Sequence, residues 1–221
     1  VCPCVRLFFR EARNWTTIDD KKMSSDAIPV ARNPLLLTYS RHWELVIIMM
    51  TDATPPCIRS NTALNLSDWT FSTERLFVAY WHAPDVFSSS MLLDDTIRQL
   101  LTPAAVTAHL PPHWQGEYSI DRAKRWIADR DSEEGTACLL VQEKSTNHVI
   151  GLVILFVMEG VGPSRSVRLG YLLAEESWGK GYASELVPAF VEKCKTNGVV
   201  SVVGGVSKDN IASRKVLQKA G

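Results

Sequence analysis

Residues 167–203 constrain the fold more than any other part of the chain. An apolar, strand-favouring run at 167–174 leads to Trp178-Gly179-Lys180-Gly181-Tyr182-Ala183. A helix-like run at 182–197 follows, and then a second apolar run at 199–203. Within the helix-like run Ala183, Leu186, Val187, Phe190, Val191 and Cys194 fall at i, i+3, i+4, i+7, i+8 and i+11. That spacing makes one apolar stripe, and the stripe has to lie on a sheet. Two strands joined by a helix run parallel, so 167–174 and 199–203 are predicted to be parallel. Gly198 stops the helix. Pro188 removes one backbone bond and predicts a bend.

The joint between strand and helix carries chemistry as well. Gly179 and Gly181 lack the Cβ that blocks close approach to the backbone. The first turn of the helix adds N–H groups with no internal acceptor and the positive end of its dipole. Together they predict a cradle for a pyrophosphate.

The rest of the chain reads as follows. Residues 75–81 are rich in strand formers, and 94–101 and 103–110 read as helices with Pro103 in a first turn. A loop at 111–118 precedes Ser119, which caps a helix running to about Arg130. Strands are predicted at 136–142 and 148–157, joined by a polar hairpin loop at 144–147. Gly160-Val161-Gly162-Pro163 reads as a turn, and Asn210 caps a last helix at 211–220. Residues 1–68 mix short apolar bursts with Pro29, Pro34, Pro55 and Pro56 and read as a poorly defined extension. Hairpins first and a parallel crossover later indicate a mixed α/β (α+β) sheet in a domain at 69–221.

The 24 basic residues balance the 24 acidic ones, so there is no basic excess to draw nucleic acid or an anionic membrane surface. The longest early apolar burst, 45–50, is far shorter than the roughly 20 residues of a membrane span. The five cysteines, Cys2, Cys4, Cys57, Cys138 and Cys194, fit no disulfide framework. No second Cys/His pair completes a metal site with Cys2 and Cys4, so they read as part of a tail. Cys138 and Cys194 fall on apolar faces as buried thiols. The expectation is a cytoplasmic protein, monomeric or homodimeric, without metal, nucleic-acid or membrane partners. The sequence does not begin with methionine, and Met23 is the first candidate start.

Three segments, Leu169-Gly170-Tyr171-Leu172-Leu173-Ala174, Trp178–Ala183, and Asn210-Ile211-Ala212-Ser213 with Lys219-Ala220-Gly221, resemble the GNAT superfamily of acetyl-CoA-dependent N-acetyltransferases. They look most like its ribosomal-protein-acetylating branch, in which tryptophan at the position of Trp178 is familiar. The resemblance is dense over 166–221, looser over 73–157 and absent from 1–68. It implies the GNAT acyl-CoA N-acyltransferase fold, with acetyl-CoA lying where strands 167–174 and 199–203 splay apart. Backbone N–H groups of Gly179, Lys180, Gly181, Tyr182 and Ala183 would hold the pyrophosphate, with Trp178 also among the cofactor-binding residues. Backbone groups near Leu172 and Leu173 would pair with the pantetheine arm, Asn210 would bond the arm, and Ser213 would protonate the leaving thiolate. The acceptor would be a peptide or small-molecule primary amine, acetylated directly without an acyl-enzyme.

The chain also departs from the family pattern. Leu217 stands where many members place a general-acid tyrosine, and Arg168 stands where relatives often carry glutamate. Arginine does not give up its proton at neutral pH and cannot be a base. His113, Glu117, Tyr118 and Glu159 are candidate bases or substrate contacts, and the 111–118 loop is a candidate wall of the acceptor site. Two strands that the resemblance places after the last helix are expected to be missing beyond Gly221. Two further readings are a non-catalytic acyl-CoA-binding module and an ATP-binding α/β protein. The second lacks a phosphate-binding lysine followed by Ser/Thr.

Overall fold

A computed structural model describes residues 43–49, 69–83, 87, 92–159 and 165–220. Its strands are β1 (Trp43–Met49), β2 (Phe71–Ser72), β3 (Leu76–Tyr80), β4 (Thr136–Glu143), β5 (Val149–Glu159), β6 (Arg165–Leu173) and β7 (Val199–Ser207). They form one sheet in the order β1-β7-β6-β5-β4-β3-β2. Every neighbouring pair is antiparallel except β6 and β7, which are parallel as the crossover predicted. The helices are α1 (Leu93–Leu101), α2 (Ala104–Thr107), α3 (Ile120–Asp131), α4 (Tyr182–Thr196) and α5 (Ile211–Ala220).

Side-chain alternation along the strands builds a core on each face of the sheet. Leu139, Val141, Val153 and Leu155 join one core with Leu186, Val187, Phe190 and Val191 of α4. Trp69 stacks on Phe190 in that core at 5.8 Å between ring centroids. Cys138, Leu140 and Leu152 join the other core with Ile97, Leu100 and Leu101 of α1 and with Ala123 and Trp126 of α3. The mixed α/β fold is therefore three layers, with α4 and α5 on one side and α1 to α3 on the other. Cys138 and Cys194 are free and buried, and burial pushes both thiols far up, so they pack as apolar groups.

Local signals set most boundaries. Ser119 accepts the Arg122 N–H at 3.2 Å and caps α3. Asn197 and Gly198 end α4, with Gly198 at φ 72°. Asn147 takes φ 58° in the 144–147 hairpin loop.

Two segments differ from the sequence reading. Only Ala104–Thr107 of the expected 103–110 helix is α-helical. Pro103 stands outside as its N-cap with ψ 122°, and Leu110 N closes a turn on Thr107 O just before Pro111 and Pro112. The second is β1, an apolar burst inside the 1–68 segment. It pairs with β7 from Trp43↔Ser207 to Met49↔Ser201 and covers that sheet edge. Cys2, Cys4, Cys57, the 160–163 turn, the Glu159 side chain and Gly221 lie outside the described residues.

Candidate functional site

The parallel pair opens into a wedge. β6 and β7 are in register from Ser166↔Ser201 to Leu169↔Gly204, and a Ser166–Ser201 hydroxyl bond of 2.7 Å holds the closed end. Beyond Leu169 both strands continue without pairing to each other, β6 to Leu173 and β7 to Ser207. The opening runs into a cleft of about 1090 Å³ that crosses to the α2 and α3 side of the sheet. A volume of this order suits a ligand larger than a single small metabolite.

Register decides which backbone groups face the wedge. Ala174 N donates to Ile150 O at 2.8 Å, and β5 and β6 stay in unbroken antiparallel register. Alternation from that bond turns the N–H and C=O of Leu172 toward β5, and those of Tyr171 and Leu173 toward the wedge. Leu173 O already accepts the Trp178 indole N–H at 2.8 Å. A strand-like ligand in the wedge therefore meets Tyr171 and the Leu173 N–H, while Leu172 contributes only its side chain to the wall.

At the mouth lies the glycine joint. Gly179 has φ 72° and Gly181 φ 83°, a conformation that a side chain makes costly. Gly181 is the N-cap of α4 and offers no side-chain cap. The N–H groups of residues 179 to 184 have no hydrogen-bond acceptor among the described residues. Six donors with a helix dipole behind them form a ready anion cradle.

An ion-paired brace holds that loop from behind. Arg75 Nη1 donates to Lys180 O at 2.8 Å, and its Nε donates to Glu185 Oε2 at 2.7 Å. The guanidinium lies 4.6 Å from the Tyr182 ring centroid, and the Tyr182 hydroxyl donates to Glu143. Burial works to raise the Glu185 carboxyl. Hydrogen bonds from the Thr73 hydroxyl, Arg75 N and the Arg75 side chain outweigh it and hold the group below the ordinary carboxylate value. The stability lent by this carboxylate is present above its unfolded value and is lost as pH falls through its lower folded value. Removing the brace frees the Lys180 carbonyl to rotate into the cradle. Arg75→Ala is expected to raise KM for a cofactor bound here about five- to tenfold. Thermal unfolding, read alongside, should move less than binding does, since the Arg75 side chain is 42% exposed although Glu185 is only 19% exposed.

Two hydroxyls meet on the α5 side of the wedge. Tyr171 OH and Ser213 Oγ are 2.9 Å apart. Burial pushes the Tyr171 phenol above its ordinary value, while the bond to Ser213 pulls the other way. Asn210 Oδ1 accepts the Ser213 N–H at 3.0 Å, which caps α5 and leaves the amide N–H groups to point elsewhere. Leu217 is buried and packs on Gly204, so no acid stands there.

On the far side of the cleft the wall is apolar with a few charges. Pro111, Pro112 and Trp114 contribute to it. Arg130 is 7% exposed, lies over the Trp114 ring at 5.2 Å, and faces Glu133 across an ion pair of 3.4 Å. Arg168 lines the same half, and burial lowers its guanidinium from the ordinary value.

A family model described as an acetyltransferase (GNAT) domain matches residues 75–221. The chain belongs to the GNAT family. No curated protein is detectably similar in sequence. Among solved structures, a GNAT-family acetyltransferase from Bacillus anthracis superposes with a TM-score of 0.53 at 17% identity, over 69% of this chain and 82% of that one. Spermidine N-acetyltransferase from Vibrio cholerae, in complex with CoA and spermine, gives 0.52 at 17%, over 66% and 80%. AAC(6')-Ib in complex with ribostamycin and coenzyme A gives 0.51 at 16%, over 67% and 83%. At these identities the likeness is one of fold.

The GNAT sheet brings together most of the residues read from the sequence. Leu172, Leu173, Trp178, Gly179, Gly181, Tyr182, Ala183, Asn210 and Ser213 all line the one cleft. Lys180 does not; its side chain is exposed, and only its backbone belongs to the cradle. His113 and Glu117 are exposed and do not line the cleft. Tyr118 is buried and donates its hydroxyl to Trp114 O at 3.1 Å, a packing role. Tyr171, Glu133 and the Arg75 brace were not singled out from the sequence. Only the pairing of β6 with α5 and β7 gives Tyr171 its partner, and no local pattern announces that. Among the described residues no cluster of three or more His, Cys, Asp or Glu could hold a metal, and no helix is long and apolar enough to cross a membrane.

Proposed function

We propose that this GNAT chain transfers an acetyl group from acetyl-CoA to a primary amine. The observation that carries the reading is the wedge, with an unsatisfied N–H cradle at its mouth and a hydroxyl pair beside it. The fit to the cosubstrate rests on groups already described. The Gly179–Ala183 backbone would take the pyrophosphate, with Trp178 as a wall beside it. Tyr171 and Leu173 would take the pantetheine amides in the manner of an added strand. The Asn210 amide N–H groups would bond the same arm. Acetyl-CoA supplies the activated thioester.

The remaining work belongs to side chains of the chain. Glu133 is the carboxylate of the acceptor half and accepts the proton that the ammonium must lose before its nitrogen attacks, directly or through a water. General-base help of this kind is worth about 10²–10⁴-fold. As the C–N bond forms and the C–S bond breaks, the nitrogen loses its second proton to solvent, Ser213 Oγ gives its proton to the departing sulfur and is resupplied by Tyr171 OH, and Tyr171 regains a proton from solvent. Holding amine and thioester at the crotch of the wedge contributes the positioning term.

A second reading, a non-catalytic acyl-CoA-binding module, is favoured by one observation: buried Leu217 at the place of the usual acid. Thiol release from acetyl-CoA, followed colorimetrically over a panel of amines and peptide N-termini, separates the two. The transferase reading expects amine-dependent release and an acetylated product by mass. CoA binding with no release on any amine would support the module instead. The resemblance of Trp178 to the ribosomal-protein-acetylating branch is why peptide N-termini belong in the panel.

A further inference from the structure

The strand that floors the acceptor half of the cleft keeps its apolar side chains where the helices no longer cover them. Alternation along β5 puts Leu152, Ile154, Phe156 and Met158 on the α1–α3 face of the sheet. Leu152 is buried in the core that α1 covers. Ile154, Phe156 and Met158 are only partly buried, and all three line the cleft. They make an apolar strip roughly 14 Å long, four steps of strand. Leu110 and Trp114 face the cleft from the loop side. Folding alone gains nothing by leaving such a strip to water, and an apolar group of a ligand is what covers surface of this kind.

Gly170 widens the strip where the wedge opens. It follows Leu169, the last β6 residue in register with β7, and stands opposite Ile154. Its φ is not positive, so the backbone does not require glycine. A Cβ there would meet only Ile154 O at 3.7 Å and Ile154 Cβ at 3.9 Å, both ordinary contacts. Neither conformation nor packing calls for the missing side chain, and the space it leaves belongs to the cleft.

A carboxylate stands at the edge of the strip. Glu133 lines the cleft three residues before Thr136, the β4 partner of Phe156. The Phe156 ring lies 3.6 Å from where a Cβ on Gly135 would stand, which puts the ring alongside the Glu133–Thr136 turn. Glu133 is the one carboxylate of this half among the described residues. One carboxylate suits one ammonium. A polyamine would leave its further charges against apolar surface, which is costly.

We infer that the acceptor is a small primary amine whose substituent is apolar, an arylalkyl or alkyl group. Gly170 gives it room at the wedge opening, and the substituent lies along Ile154, Phe156 and Met158. The inference rests on the acetyl-transfer reading of the same cleft, and it names the class of acceptor.

The test is calorimetry on the full chain saturated with CoA, titrated with 2-phenylethylamine, hexylamine, ethanolamine and spermidine. The expected result is that one or both apolar amines bind about tenfold to a hundredfold more tightly than ethanolamine or spermidine. Which of the two binds better tells a ring from a chain. F156A and the near-isosteric M158Q should each shrink that preference severalfold, with CoA affinity unchanged as the check on folding. The inference is overturned if the wild type prefers ethanolamine or spermidine, if it binds none of the four, or if the preference survives both substitutions. It is equally overturned if a peptide with an apolar first residue binds and both small apolar amines do not. Hexanoyl-CoA binding tenfold more tightly than acetyl-CoA, with the gain lost in F156A, would give the strip to the acyl chain and also overturn it. Intact preference with no acetyl transfer would count against the transferase reading alone. Acetyl transfer to ethanolamine or spermidine in preference to the apolar amines would count against this inference alone, and failure of CoA to bind would count against both.

Discussion

Gly181→Val is expected to weaken acetyl-CoA binding severely while leaving a folded protein. Residue 181 sits at φ 83°, where a β-branched side chain is a severe outlier, so the loop must distort or carry strain. The cost of a left-handed non-glycine residue is about 1–2 kcal/mol. Typical domain stability is about 5–15 kcal/mol, so the fold survives. A new Cβ would meet only Arg75 Nη2, at 3.5 Å, an ordinary contact with the end of a flexible side chain. Its effect on the ligand is larger, because it intrudes where backbone N–H groups must reach a pyrophosphate. Affinity for CoA should fall by about two orders of magnitude or more, roughly the loss of two charge-assisted hydrogen bonds. Gly179→Val should act the same way for the same reason, with no contact within 4 Å to disturb the fold. Calorimetric CoA titration beside a thermal melt checks both halves. A melt lost together with binding would mean that the glycines serve folding and not the ligand.

The second large effect belongs to the hydroxyl pair. Tyr171→Phe removes the phenolic proton and keeps the ring, while Ser213→Ala removes the hydroxyl that faces it at 2.9 Å. If the two form one relay to the departing sulfur, each single change should lower kcat by about 10²-fold. The double change should cost little more than either single change, as for residues acting as a unit. KM for acetyl-CoA should hold, because the backbone of residue 171 still lines the wedge. Independent, multiplying losses would show two separate roles. Full activity in both variants would remove the pair from the mechanism.

Legibility in the sequence followed the range of the interactions. The α4 stripe, its glycine joint and its stop at Gly198 are set by neighbours within a turn or two, and the helix forms at Tyr182–Thr196 against the expected 182–197. The last helix matches at Ile211–Ala220, where Asn210 does double duty as cap and cleft wall. Pro103 misled because proline suits both a first turn and a position just outside one; its ψ of 122° places it outside. β1 was not resolved into a strand, since what makes it one is pairing with β7, far along the chain.

The site divided along the same line. The cradle was legible because its specification is local, two glycines before a helix. Tyr171 was quoted only as part of a strand motif, and its hydroxyl acquires meaning from a helix that starts long after it. Arg168 was read as a lost base. The register beside Phe156 makes it a cation one residue from the wedge opening. Leu172 and Leu173 were read as equivalent, and only the phase of the β5–β6 ladder distinguishes them.

The central claim is that the wedge and its cradle hold acetyl-CoA. Calorimetric titration of the full chain with CoA, with ATP and with 3'-dephospho-CoA tests it most directly. The account predicts one-to-one binding of CoA, retained at least in part by dephospho-CoA because both carry pyrophosphate and pantetheine, and no saturable binding of ATP. Binding of ATP in preference to CoA, or CoA binding undiminished by Gly181→Val, would contradict it.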